Sequence, residues 1–476
     1  MRVATALALT ASCLLAGAPP AVAQPSAQPS GPSASSRVLV VSPTGSDRAA
    51  GTAAHPLRTI QVAVHRLQQG GRVELRGGTY HQRVRLVGVH DVSLSPYRQE
   101  RPVLSGAGLV PPPGLTALVE IADSSHVTVR GLGLTGYRTD QLDVTPAGIF
   151  VHGHDRAIRI EGNRVHDLGN DNGTLGSFDI NAHGIAVYGD DPHGSVTGLS
   201  IVGNEVDHLH LGASESVVVN GNVDGWTIAR NHIHDNDNIG IDAIGYEETL
   251  AGAARYSTLN RARNGVIADN TVARIRSRGN PAYWEGGTGD AAWCNCADGI
   301  YVDGGTRIAV RGNRVSDSDI GIEVAAENAR GAADHVRVSR NVITGSLFTG
   351  IATGGYCDGS DDCGGEQTGS SHDNVFDGNR LRGNNRLDDG SPELLVQYHA
   401  SRNTFRHNTI VATNSAHAVY GTVPGGVAHG DVSDHNTFSA VGAGAQQLEL
   451  GWSGQTYTGF DAYRRATGQD QHSHAR

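Results

Sequence analysis

The chain has 476 residues with 48 acidic and 37 basic side chains, and its net charge of -11 argues against a nucleic-acid partner and against docking on an anionic membrane. Glycine at 64 residues with aromatics at 5% excludes a large globular core and suits a chain of many tight corners around a thin aliphatic one. All 37 cations are arginine, so no lysine is available as a catalytic base.

Arg2, the apolar run Ala4 to Ala16 and the small-residue site Ala21-Val22-Ala23 read as a secretory signal peptide over residues 1–23, too short to span a membrane. Residues 24–37, rich in Pro, Ser, Gln and Ala, read as a disordered linker. A strand from Val38 to Val41 follows. His55-Pro56 then opens a helix whose apolar Ile60, Ala63, Val64 and Leu67 fall at i, i+3, i+4 and i+7. After Gly70-Gly71 the chain returns to a strand at Val73-Glu74-Leu75. Exposed strand edges invite association, and this helix is placed to cap the open end of a repeat array.

From residue 148 onward one frame recurs: Gly148-Ile149-Phe150-Val151-His152-Gly153, Gly184-Ile185-Ala186-Val187-Tyr188-Gly189, Gly240-Ile241-Asp242-Ala243-Ile244-Gly245 and Gly299-Ile300-Tyr301-Val302-Asp303-Gly304. Looser copies lie at Ser216-Val217, Gly321-Ile322 and Gly350-Ile351. Between them an Asn-x-aliphatic motif repeats at Asn163, Asn204, Asn231, Asn270, Asn313, Asn341, Asn379 and Asn408, with the closest copies 27 to 29 residues apart. Short strands at a fixed period predict a parallel β-solenoid, and asparagines at one corner can stack into hydrogen-bonded ladders. The solenoid domain is expected over residues 38–462, with residues 463–476 as a polar, frayed tail.

The entry segment Val41-Ser42-Pro43-Thr44-Gly45-Ser46-Asp47, with Pro56-Leu57-Arg58-Thr59-Ile60-Gln61 and Gly77-Gly78-Thr79-Tyr80, resembles that of secreted right-handed parallel β-helix proteins of the pectate-lyase-like superfamily. With the repeats, the resemblance covers roughly residues 38–440. It implies an all-β fold, a right-handed parallel β-helix with a short N-terminal helical cap, and an enzyme that cleaves polysaccharides as a lyase or glycosidase. One fold hosts many chemistries, so the reaction must be argued from the site.

Strand alternation places Asp242 on the outer face in a column with Phe150, Ala186, Val218, Tyr301, Glu323 and Ala352, and Asp303 in the next outward column. Coils stack about 4.8 Å apart, so Asp242 and Glu323, two coils apart, fall roughly 10 Å from each other. A strip of carboxylates interleaved with Tyr188 and Tyr301 suits a groove for a sugar chain, and Asp is disfavoured in mid-strand unless it has a task. Asp235 and Asp237, just before Asp242, are the candidate catalytic partners, although Asp235 shares its corner with Asp167 and Asp317. The Asp-x6-Asp spacing is similar to the acid/nucleophile pair of β-helical lacto-N-biosidases. His183, Asp298 and Glu215 line one edge of the same region, Glu247 opens an insertion, and a second insertion over 276–297 carries Tyr283, Trp284 and Trp293 as sugar-stacking candidates.

Asp207-His208-x-His210 and His232-x-His234-Asp235 offer metal-ligand types, but corner histidines that hydrogen-bond along the stack explain them, and no metal is expected there. Cys294, Cys296, Cys357 and Cys363 lie in insertions of an exported chain and are expected to form two disulfides, with three pairings open. Asp358, Ser360, Asp361 and Asp362 leave calcium possible. The reading is a secreted monomer acting on a polysaccharide or oligosaccharide by carboxylate-based hydrolysis, with no cofactor required. The alternatives are a calcium-dependent lyase using one of Arg255, Arg261, Arg263, Arg274, Arg276 or Arg278 as base, and a carbohydrate-binding surface protein.

Overall fold

The computed structural model describes residues 37–476 apart from 68–69, 290–291, 358, 360–366 and 424–425; the expected signal peptide and nearly all of the linker lie outside the described residues. The chain is all-β, with three long sheets of 13 strands each among the described residues. The first sheet starts at Val38–Val41, the second at Val84–Val87 and the third at Gly78–Tyr80, and successive turns of the chain add one strand to each. Pairing within them is parallel except at the end of the second sheet, where Glu449–Trp452 meets Gln455–Thr458 antiparallel. This is the parallel β-helix expected from the repeat, and parallel crossovers favour the right-handed sense.

Inward positions stack like on like. The first-sheet register aligns Val129, Ile160, Ile201, Ile228, Ile267, Val310 and Val338, then Phe376 and Phe405, whose rings stack 4.9 Å apart. Each such side chain contributes about 1.5–3 kcal/mol by leaving water. The corner asparagines form the expected ladder. Asn204 Oδ1 accepts from the backbone N–H and Nδ2 of Asn163 at 2.9 and 3.0 Å, and its own Nδ2 donates to the Ile160 carbonyl at 2.9 Å. The same bonds recur through Asn231, Asn270, Asn313, Asn341, Asn379 and Asn408 to Asn436, one copy beyond those read from the sequence.

The helix spans Ile60–Leu67 and buries Ile60, Ala63, Val64 and Leu67. It starts later than His55-Pro56 suggests because Leu57 instead pairs with Val41 as a bridge. Its open N-terminal donors are met by side chains: Asp47 Oδ1 accepts from Thr59 N–H at 2.8 Å and Gln82 Oε1 from Ile60 N–H at 2.9 Å. The closing residues correct the expectation of a frayed tail. A helix over Phe460–Thr467 buries Tyr463, Tyr463 donates to buried Asp470, and His474–Ala475 pairs with Thr437–Ala440 as the last strand of the third sheet. Polar composition concealed two anchors, an aromatic ring and a buried aspartate.

One asymmetry positions the site. First-sheet strands alternate between buried and open positions, but second-sheet strands Val217–Gly221, Ile241–Ile244, Asp298–Asp303, Ile320–Ala325 and Thr349–Thr353 are buried at every position. The outer face of this sheet is therefore covered in its central coils.

Candidate active site

The register sets Val218, Asp242, Tyr301, Glu323 and Ala352 side by side on successive second-sheet strands, as alternation predicted. Ile241, Ala243, Ile300, Val302, Ile322 and Val324 point the other way into the core. What the sequence did not show is the burial: Asp242 is 2% exposed, Asp298 and Asp303 3%, and Glu323 5%. Asp242 Oδ1, Asp298 Oδ1, Glu323 Oε1 and the Tyr301 hydroxyl are buried without a hydrogen-bond partner among the described residues.

Burial first, and then the charges of Glu215, Asp303, Glu327 and Asp298, hold the Asp242 carboxyl well above the usual carboxylate range. Burial, with Glu323 and Glu327 next, does the same to Asp298. Asp303 is raised by burial and Glu327, although its Oδ1 accepts from the Glu327 N–H at 2.7 Å. Glu323 is pushed up to about 8 by burial and by Glu327. Removing these groups from water disfavours their charged forms, and each ionised neighbour adds to the cost for the next. Half-buried Glu247 is raised for the same two reasons, with Arg255 opposing.

Beside the row, His183 is 2% exposed and links two coils: its Nδ1 lies 3.4 Å from Glu215 Oε2 and its Nε2 3.3 Å from the Tyr188 hydroxyl. Ala186, Val218 and Ile244 form an apolar strip on the outer face with Phe150 and Tyr188 against it. The insertion carrying Trp284 and Trp293 is fastened along its length. Ser277 N–H and hydroxyl both donate to Asp319, Asn280 Nδ2 donates to the Gly212 carbonyl at 2.7 Å, and half-buried Trp284 and Trp293 pair through their backbones. Tyr283 reaches Asn238 Nδ2 at 3.2 Å and meets the exposed Phe178 ring edge-on at 5.5 Å. Cys294 is bonded to Cys296 within this insertion, a short-range pairing among the three left open. Cys363 and nearly all of the proposed calcium loop lie outside the described residues.

Asp235 is at the corner, in the same left-handed conformation as Asp167 and Asp317. Arg274 grips both its oxygens at 2.6 and 2.7 Å and His234 Nδ1 meets it at 2.6 Å, which holds it well below the usual range. Asp237 accepts from the Leu211 N–H at 2.7 Å and is pushed up to about 7 by burial. Both line a separate cavity of about 660 Å³ with His208, His210, Arg274 and Arg276, and neither is among the main charges acting on Asp242. The structure thus sets Asp242 with Glu215, Asp298, Asp303 and Glu323 rather than with Asp235. Sequence reasoning missed Glu327, which acts on four of these groups from the loop after Ile320–Ala325. It lies one residue beyond the six-residue repeat frame, where no strand alternation applies.

Among the described residues, Glu205 with His232 and His234, and Asp434 with His435 and His472, are the histidine and carboxylate groups close enough to share a metal ion. The acidic row is not one of them. No described helix is long and apolar enough to cross a membrane.

Fold and site together define a parallel β-helix protein with a covered, carboxylate-lined strip on one outer face. The chain belongs to the same family as the uncharacterized protein YwoF of Bacillus subtilis (strain 168), with which it is 34% identical over 439 residues, 91% of this chain and 86% of that one. No family model matches it. Among solved structures it is similar to the mannuronan C-5 epimerase AlgE6 A-module of Azotobacter vinelandii, at 16% identity and TM-score 0.47 over 87% of this chain and 92% of that one. The GH136 lacto-N-biosidase from Eubacterium ramulus gives 14% and 0.47 over 92% and 67%. The Dettilon tailspike protein gives 15% and 0.48 over 92% and 68%.

Proposed function

We propose that this protein is an exported, monomeric glycoside hydrolase acting on a polysaccharide or oligosaccharide, with Asp242 as general acid and Glu215 as the second carboxyl group of the pair. One observation carries the reading: Asp242 is buried, has an oxygen without a hydrogen-bond partner, and is lifted above the usual carboxylate range with Glu215 as the largest neighbouring charge. A general acid must hold its proton at neutral pH, and burial beside a second carboxyl group favours that form of Asp242. Asp242 would protonate the leaving glycosidic oxygen, while Glu215, oriented by His183, attacks the anomeric carbon or draws a proton from water. Asp298, Asp303 and Glu323, whose burial favours the protonated form, would donate hydrogen bonds to sugar hydroxyls. Phe150, Tyr188, Tyr283 and Trp284 offer faces for sugar C–H surfaces. The helix over Ile60–Leu67 is read as the cap of the solenoid's first coil.

A lyase would need an unpaired arginine as base. Arg255 is bound to Glu248 and the Tyr246 carbonyl, Arg261 to Asp334 and three carbonyls, Arg263 to Asp224, Ser195 and Asn222, and Arg274 to Asp235. Arg276, by contrast, hydrogen-bonds only the Asp317 carbonyl among the described residues and is held below the usual range by burial, which makes it the candidate base of the lyase alternative. The test is a screen of neutral and uronate-containing polysaccharides, read both as new reducing ends and as the ultraviolet absorbance of unsaturated uronate. Reducing ends without that absorbance, lost in Asp242→Asn, are expected. Unsaturated products would refute the assignment.

A further inference from the structure

The third sheet carries a group of side chains that the hydrolytic reading does not use. On the strand His232–Asn236, Ile233 is fully buried in the core, so His232 and His234 both project from the opposite face. The register sets Glu205 of the preceding coil directly beside His232, and Asp207 beside His234. The imidazole and carboxylate ligand atoms of Glu205, His232 and His234 lie within 4.8 Å of one another.

A histidine beside an aspartate at a corner is an architectural unit of this fold. His372, Asp373 and Arg402 repeat it: the imidazole meets the aspartate and the arginine clamps it with two bonds. His234, Asp235 and Arg274 are built the same way. What architecture does not explain is the other ring nitrogen. His234 is 8% exposed, and its buried Nε2 has no hydrogen-bond partner among the described residues; Glu205 Oε1 lies 3.5 Å away. The 2.6 Å contact of Nδ1 with Asp235 places the ring proton on that side, so Nε2 presents a lone pair toward Glu205 and His232. The His232 ring lies 4.0 Å from that of His234, and the His232 side chain is exposed.

We infer that Glu205, His232 and His234 form a binding site for a divalent transition-metal ion of the zinc class. Two imidazoles and one carboxylate are the donor set such ions take, and calcium or magnesium would ask for oxygen ligands throughout. Tetrahedral zinc brings its ligand atoms to about 3.3 Å from one another, so rotation of the exposed His232 and Glu205 side chains is enough to close the site. Asp235, fixed by Arg274, is the outer carboxylate that orients His234, as carboxylates commonly orient metal-binding histidines. With three protein ligands, the fourth position faces solvent, the arrangement of zinc ions that bind or activate a further molecule. Arg164, 3.8 Å from Glu205 Oε2 and bound to Asp207, is the nearest opposing charge, and Asp207 offsets it.

The test uses the full-length secreted protein without a histidine tag, titrated calorimetrically with zinc chloride, and with cobalt(II) followed by its visible spectrum. About one equivalent should bind. His234→Ala and the exposed variant His232→Ala should both abolish binding, and Asp235→Asn should weaken it by about 10- to 100-fold. His472→Ala, which disables the second histidine-carboxylate group, should leave it intact. Each variant is first shown to melt with wild type in chelator. The inference is overturned if the wild type binds neither ion, if His232→Ala binds as tightly as wild type, or if binding disappears with His472→Ala instead.

Discussion

Glu323→Gln should make the protein more stable and do so in a pH-dependent way. In the native state the Glu323 carboxyl, raised to about 8 from an ordinary 4.5, is protonated at pH 7, whereas in the unfolded chain it is ionised. Folding at pH 7 therefore binds a proton across about 2.5 pH units, at about 1.36 kcal/mol each, which costs roughly 3 kcal/mol. Glutamine keeps the shape, has no proton to take up, and can donate to the carboxylates around it. Because the native state binds more protons than the unfolded one between pH 4.5 and 8, wild-type stability falls as pH rises through that window. The advantage of the variant should be near zero at pH 4, about 3 kcal/mol at pH 7 and about 5 kcal/mol above pH 8. Urea unfolding followed by tryptophan fluorescence at those three pH values, with calorimetric melts alongside, measures it. A variant less stable than wild type throughout, or an advantage that does not change with pH, would refute the account of the acidic row.

Asp242→Asn should leave the melting temperature unchanged or raised while costing at least about 10²-fold in turnover, measured as released reducing ends. Asp235→Asn should retain activity within a few-fold, because its oxygens are occupied by Arg274 and His234. Asn231→Ala should destabilise the protein by about 2–6 kcal/mol in denaturant titrations, since it takes their side-chain partner from the Asn204 N–H and the Ile201 carbonyl in a buried corner at about 1–3 kcal/mol each, while Asn204 Nδ2 keeps its bond to the Ile160 carbonyl. Cys294→Ser with Cys296→Ser should cost no more than about 1.5 kcal/mol in melts, because a crosslink across a sequence separation of 2 closes a very small loop.

Periodicity carries backbone information well, and this is why the solenoid, the asparagine corner and the Asp242 column could all be read from spacing alone. The same register correctly put Asp242, Tyr301 and Glu323 on one face. It could not say whether that face meets water, because burial depends on residues outside the repeat frame. Asp235 illustrates the complementary error. Proximity in sequence suggested a partner for Asp242, but the left-handed corner between them turns Asp235 toward Arg274 on the next coil. Glu215 is nearer in effect although it is 27 residues away, because in a solenoid one turn of chain is one step along the stack. The tail was misread for a simpler reason: composition cannot reveal that one tyrosine and one aspartate find a buried berth.

The asparagine ladder makes coil number separable from coil content. Each rung contacts only the rung before and the rung after, with the same bonds every time, so excising residues 379–407 would bring Asn341 against Asn408 through an unchanged joint. Lengthening or shortening the molecule therefore need not disturb the acidic row several coils away. A lineage built on this corner can vary the span of its outer surface by whole-coil duplication or loss, while the acidic row stays at one address.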